Sequence, residues 1–370
     1  MKKYYFLALL LSLSFSTFYS CGSDDSYTEI PQPQPEPEPE QESPVVMDLN
    51  AVPYAKLSDY NFYEGELKNM EPVYGVLPYD LNSALFTDYA SKKRFIWMPK
   101  GSKANYTADD KILDFPIGTV LIKNFYYEKM TPSNNQVIIE TRLMIRKESG
   151  WIFANYVWNE EQTEASLNME GLSTRISWDQ EGRAMTTTYR IPGAIECATC
   201  HKLDNKDVPI GVKPQNLNKL YTYTDGAKNQ LSKWVEAGYL NNTVPQNIVS
   251  TVDWKDENLS LDLRARSYLD INCAHCHSPG GTCDYVPMNF LFSKTNDPVN
   301  LGICIEPQDF SPEGYPYLIS ATKAQNSLIY FRMNTTNAVD MMPRLGRSVI
   351  HQEGIDLIAE WINAMPEPCP

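Results

Sequence analysis

The chain has 370 residues, about twice the length of a common single domain, so several cores are expected and a disulfide-stapled miniprotein is excluded. Apolar residues make up 42% and charged residues 21%, and no internal run of about 18 apolar residues is present to cross a bilayer. Lys and Arg number 32 against 46 Asp and Glu, a formal charge of −14, which repels phosphate backbones and argues against nucleic acid as a partner.

Residues 1–21 read as an export signal, with Lys2 and Lys3 ahead of an apolar stretch over 4–18 that is short for a membrane span. The run Phe18-Tyr19-Ser20-Cys21 resembles a bacterial lipoprotein cleavage site, which implies a lipid on Cys21 and a protein anchored in the cell envelope at the outer membrane; ordinary signal-peptidase cleavage nearby is the alternative. Residues 22–46 form a linker, because proline recurs at 31, 33, 35, 37, 39 and 44 among Gln and Glu, a composition that favours extended solvated chain. Two lysines and seven acids precede residue 47, so the remainder carries −9 of the charge.

Residues 47–189 are expected to form an all-β, sandwich-like domain. Strands are predicted over 120–127, 137–145 and 151–158, rich in branched and aromatic residues and separated by turns at Pro132-Ser133-Asn134-Asn135 and Glu148-Ser149-Gly150. No catalytic constellation is visible there.

Past residue 190 the pattern changes. Cys197-Ala198-Thr199-Cys200-His201 and Cys273-Ala274-His275-Cys276-His277 are two C-x-x-C-H motifs. Two thiols one helical turn apart can add across both vinyl groups of one haem, and the next imidazole then lies beneath the iron. Two covalent c-type haems are therefore expected, on Cys197, Cys200 and His201 and on Cys273, Cys276 and His277. A Cys₄ or Cys₃His zinc site is the competing reading, and it leaves both trailing histidines unexplained. Residues 190–258 and 259–370 read as two mostly α, cytochrome c-like modules, with helices predicted over 227–240, 261–271 and 354–365. Between the last two, Met342-Pro343 offers a thioether as distal ligand to the second iron, with Met341 as the alternative and Met333 assigned to the core. The first iron has no such neighbour, since residues 202–272 contain neither Met nor His; His351, Met185, Met169 and His275 are the candidates from outside that stretch.

The run from Arg266 through Tyr268-Leu269-Asp270-Ile271-Asn272 to His277, together with Pro209-Ile210-Gly211-Val212-Lys213, Leu217-Asn218, Asn229-Gln230-Leu231, Glu140-Thr141-Arg142-Leu143, Trp158-Asn159 and Met342-Pro343-Arg344-Leu345-Gly346-Arg347, resembles a family of exported bacterial dihaem c-type cytochromes of largely unassigned role. The likeness spans residue 86 to the C-terminus and implies covalent haem at both motifs and electron transfer, without supplying a substrate. His351 falls in a run matching that pattern, which makes it the first candidate for the open position on the first iron. Lys213-Pro214-Gln215 stands where the family pattern leads one to expect Lys-Ala-Arg.

Of the remaining cysteines, Cys283 and Cys304 bracket a compact insertion and are the preferred disulfide, with Cys304–Cys369 as the alternative. Three functions fit: an electron carrier working with redox protein partners, a dihaem enzyme such as a peroxidase with an open first haem, and a surface-binding protein whose haems are auxiliary.

Overall fold

A computed structural model describes residues 41–308 and 312–370. The signal expected over 1–21, with the lipid expected on Cys21, and most of the linker lie outside the described residues. The end of the linker does join the fold: Trp97 Nε1 donates to Ser43 Oγ at 3.0 Å, and Val45 packs on the core.

One antiparallel sheet of eight strands organises the chain: β1 (Leu77–Tyr79), β2 (Ser91–Trp97), β3 (Val120–Met130), β4 (Asn135–Lys147), β5 (Gly150–Trp158), β6 (Ala165–Leu167), β7 (Leu172–Gln180) and β8 (Arg183–Ile191). The three strands predicted from composition are β3, β4 and β5, each observed slightly longer. In register, Phe95, Ile122, Leu143 and Ala154 stand side by side across β2 to β5. The neighbouring row, Ile96, Leu121, Met144 and Phe153, points to the opposite face, as the period of two requires. The first row is covered by residues before β1, including Leu57, Tyr60, Phe62 and Met70. The second is covered by Val212, Leu217, Leu231, Trp234 and Ile271, which come from beyond residue 190.

This arrangement corrects the expected fold class. Among the described residues the N-terminal part pairs the large sheet with no more than a two-stranded ribbon, Tyr63–Glu64 with Glu71–Pro72, so it is not a sandwich, and strand residues outnumber helical ones across the structure, so two mostly α modules do not follow it. Beyond β8 the regular helices are short: α1 (Ala194–Cys200), α2 (Gln230–Glu236), α3 (Leu261–Cys273) and α4 (Gln352–Asn363) are joined by turns, hairpins and irregular chain. The helix predicted over 227–240 is half hairpin. Thr224-Asp225 turns β9 (Leu220–Tyr223) into β10 (Gly226–Asn229), and only then does Asn229 Oδ1 cap α2 by accepting from the Leu231 and Ser232 amides. Local apolar spacing cannot separate a short helix from a strand that leads into one.

Residues 41–370 make one compact unit, and the core that joins Leu121 and Met144 to Val212 and Ile271 runs across both 189/190 and 258/259. Each fully buried large apolar side chain in it contributes roughly 1.5–3 kcal/mol, so the sheet and the later segments stabilise one another. The predicted helices over 261–271 and 354–365 appear as α3 and α4, which pack together through Leu269, Ile355, Ile358 and Ile362.

The disulfide joins Cys304 to Cys369, not Cys283 to Cys304 as preferred from the sequence. The Cys283 amide donates to the Cys276 carbonyl, which keeps Cys283 beside the second motif. Cys304 instead lies along the segment at Ile319, where the C-terminal tail returns and Tyr317 donates to the Pro370 carbonyl. No helix among the described residues is long and apolar enough to cross a membrane.

Candidate haem-binding site

Both C-x-x-C-H motifs open on one cavity. Cys197, Cys200 and His201 line it with Cys273 and His277, and Met342 faces in from the far loop.

The first motif sits on α1, which follows directly from the last strand of the sheet. Glu196 accepts from the Gly193 amide at 2.8 Å and pairs with Arg190, fixing the first turn so that Cys197 and Cys200 fall on one side. Asn155 of β5 reaches the Cys197 sulfur at 3.6 Å. The His201 ring is oriented by its Nδ1–H donating to the Val208 carbonyl at 2.9 Å, which leaves Nε2 as the free acceptor. Burial pushes this imidazole down to about 3, so the ring is neutral, the form that binds metal.

The second motif ends α3. Buried Asp270 anchors that helix by accepting from the Phe292 amide at 3.0 Å, and Lys213 Nζ lies 3.7 Å from the same carboxylate, with Gln215 alongside. The Lys213-Pro214-Gln215 run therefore ties the chain to α3 and stays out of the cavity lining. His277 is partly buried, pushed down to about 4 by desolvation, and its covered Nδ1 has no partner among the described residues.

The motifs are docked on each other. Thr282 Oγ donates to the Thr199 carbonyl at 2.6 Å and the Asp204 amide to the Gly280 carbonyl at 2.9 Å. A Cβ on Gly281 would lie 2.5 Å from the Cys276 carbonyl oxygen, so the chain after the second motif can fold back this closely only without a side chain. At the centre, ligand atoms of Cys200, His275 and Cys276 lie within 4.8 Å of one another. The neighbouring Cys276 thiol draws the Cys200 thiol below its ordinary pKa, whereas burial raises Cys273 to about 12.

Met342 is presented by a braced loop: its amide donates to the Arg332 carbonyl at 2.8 Å, and buried Arg347 donates to the carbonyls of Met342, Arg332 and Thr335. Met341 does not line the cavity, but Met144, Met288 and Met333 do; all three come from separate segments, and Met333 also belongs to the core to which the sequence assigned it.

Among the candidates for the first iron, Met185 lies on a separate surface hollow beside Tyr89 and Ser348, and Met169 only lends its carbonyl to the Ala194 amide. His275 faces Cys200. His351 borders the cavity, yet its ring is stacked on Phe86 at 4.0 Å, Nδ1 meets the Tyr268 hydroxyl at 2.9 Å and Nε2 faces Glu353 at 3.7 Å. Nδ1 is engaged and the ring is held in an aromatic stack, so the assignment of His351 as an iron ligand is corrected to a packing role. Burial lowers its pKa to about 4. The fold therefore loses stability as pH drops from the unfolded value near 6.5 through 4, by about 3 kcal/mol for this group, and is indifferent to it at neutral pH. Chemical denaturation at pH 7 and pH 4 should show this loss, and His351→Phe should flatten it.

These donors suit two haems: paired thiols at haem spacing, a neutral imidazole with a free or orphaned nitrogen after each pair, a soft thioether opposite, and apolar walls from Leu121, Leu143, Phe153, Ile210 and Phe290. Comparison with protein-family models, curated proteins and solved structures finds no match for the chain.

Proposed function

We propose that the protein is a dihaem c-type electron carrier of the bacterial cell envelope, tethered by a lipid on Cys21 and exchanging single electrons with redox protein partners. The observation that supports this reading above the others is the meeting of the two motifs in one cavity, where Cys200 and Cys276 touch. Haem bound there supplies one-electron iron chemistry. The chain's own contribution is placement. Cys197 and Cys200 would hold one haem and Cys273 and Cys276 the other, with His201, His277 and Met342 the side chains available to the irons. Electron transfer falls off steeply with distance, so shared walls favour rapid passage between centres. The apolar lining keeps water from the irons and thereby sets their potentials.

A second reading has an observation of its own. Cys200, His275 and Cys276 form three legs of a tetrahedral soft-ligand site, which suits zinc. The two are separated by making the protein with haem-attachment machinery and denaturing it in acid: two covalent haems per chain are expected, with Met342→Ala losing the sulfur-to-iron band in the near infrared and lowering one potential. Stoichiometric zinc without haem would overturn the proposal.

A further inference from the structure

The cavity is charged against the trend of the molecule. In a chain of net charge −14, six cations line it, Lys123, Arg142, Arg190, Arg332, Arg344 and Arg347, against a single acid, Glu196. Most of these cations are already engaged: Arg190 pairs with Glu196, Arg142 with fully buried Glu140, Arg347 with backbone carbonyls, and Arg332 with the Asp340 carbonyl. Lys123 is different. Among the described residues neither it nor Arg344 has a hydrogen-bond or carboxylate partner, but Arg344 is exposed, whereas Lys123 is half-buried with its ammonium 4.8 Å from the Phe125 ring centre.

Its position follows from register. Arg94, Lys123, Arg142 and Asn155 form one row across β2, β3, β4 and β5. Asn155 touches Cys197 at one end of the row. Strands repeat at about 4.8 Å, so Lys123 stands roughly 10 Å along the sheet from the thioether attachment. That is about the width of a porphyrin, from the edge that carries the thioethers to the edge that carries the carboxylates. The uncompensated charge is costly where it stands: burial, with Arg94, Lys92 and Arg142 nearby, pushes the Lys123 ammonium well below its ordinary pKa. Arg94 at the far end is 4% exposed, and although one of its nitrogens pairs with Asp80, Nη2 has no partner among the described residues.

We infer that Lys123, at the centre of the Arg94–Lys123–Arg142 row, is the receptor for an oxyanion in the cavity, and that its occupant is a carboxylate of the haem attached to Cys197 and Cys200. This rests on the dihaem reading for the source of the oxyanion, though the receptor itself does not. It gives the sheet a task the sequence left unassigned, which is to neutralise and orient the first haem.

The test is a redox titration of the holoprotein and its Lys123→Gln and Lys123→Arg variants, after the covalent haem count of each is measured. Without the lysine, the carboxylate's charge stabilises ferric iron, so one of the two midpoint potentials should fall in Lys123→Gln, the other should stay, and Lys123→Arg should restore the parent value. Inorganic phosphate is then titrated. A saturable shift of the parent's potential with phosphate, lost in Lys123→Gln, would instead assign the site to a free oxyanion. Two haems with potentials unmoved by the substitution and by phosphate would overturn the inference. A chain that carries no haem sinks the dihaem reading alone: the receptor then stands if phosphate raises the Tm of the parent and not of Lys123→Gln, and falls if it does not.

Discussion

Replacing Cys197 and Cys200 together by serine should leave one covalent haem per chain, counted by mass after acid denaturation, and should also change the potential of the haem that remains. Removal of one haem from a pair of independent modules would leave the other untouched. Here Thr282 is bonded to the Thr199 carbonyl, Asp204 to Gly280, and Cys276 stands against Cys200, so emptying the first site removes one wall of the second. Water admitted to that wall stabilises ferric iron and lowers the potential. The mirror variant, Cys273→Ser with Cys276→Ser, should act reciprocally. A remaining haem indistinguishable from its parent in either variant would show that the two sites do not share an environment.

Removing the disulfide should have the largest effect on stability. Cys304 and Cys369 are 65 residues apart, and closing a loop of that length restricts the unfolded chain by about 4 kcal/mol. The denaturation midpoint of Cys304→Ser with Cys369→Ser should fall accordingly. Loss of protection should concentrate in α4 and the tail after it, because Cys369 is the tail's covalent tie to the segment at Ile319. Cys283→Ser, by contrast, should leave the midpoint near the parent's, since Cys283 carries no bridge. Hydrogen exchange of α4 separates the two variants.

The two C-x-x-C-H motifs are legible because each is written in five consecutive residues, and β3 to β5 because turn residues and branched runs alternate between them. What stayed hidden depends on long-range register or return of the chain. Lys123 looks like any strand lysine until β3 is aligned with β4 and β2. Then it stands between two arginines on a covered face. His351 reads as a candidate ligand because histidine is scarce, yet its partners Phe86 and Tyr268 lie far off in sequence, one stacked on the ring and the other bonded to Nδ1. The preference for Cys283–Cys304 took nearness along the chain as nearness in space. The expected boundary at residue 190 marks a true change of composition, but the apolar row of the sheet needs a cover and takes it from the segments that follow.

The contact between Cys200 and Cys276 also bears on how such a chain must be made. Thiols this close, one of them drawn toward thiolate by the other, are poised to oxidise to a cross-link in any compartment without a reductant. On the dihaem reading, that bond would staple the two motifs together before either received its prosthetic group. Cys197 and Cys273 are shielded as well, burial holding their thiols above the ordinary pKa. On that reading assembly is a race, in which the sulfurs are alkylated while the polypeptide is still open and folding then seals them.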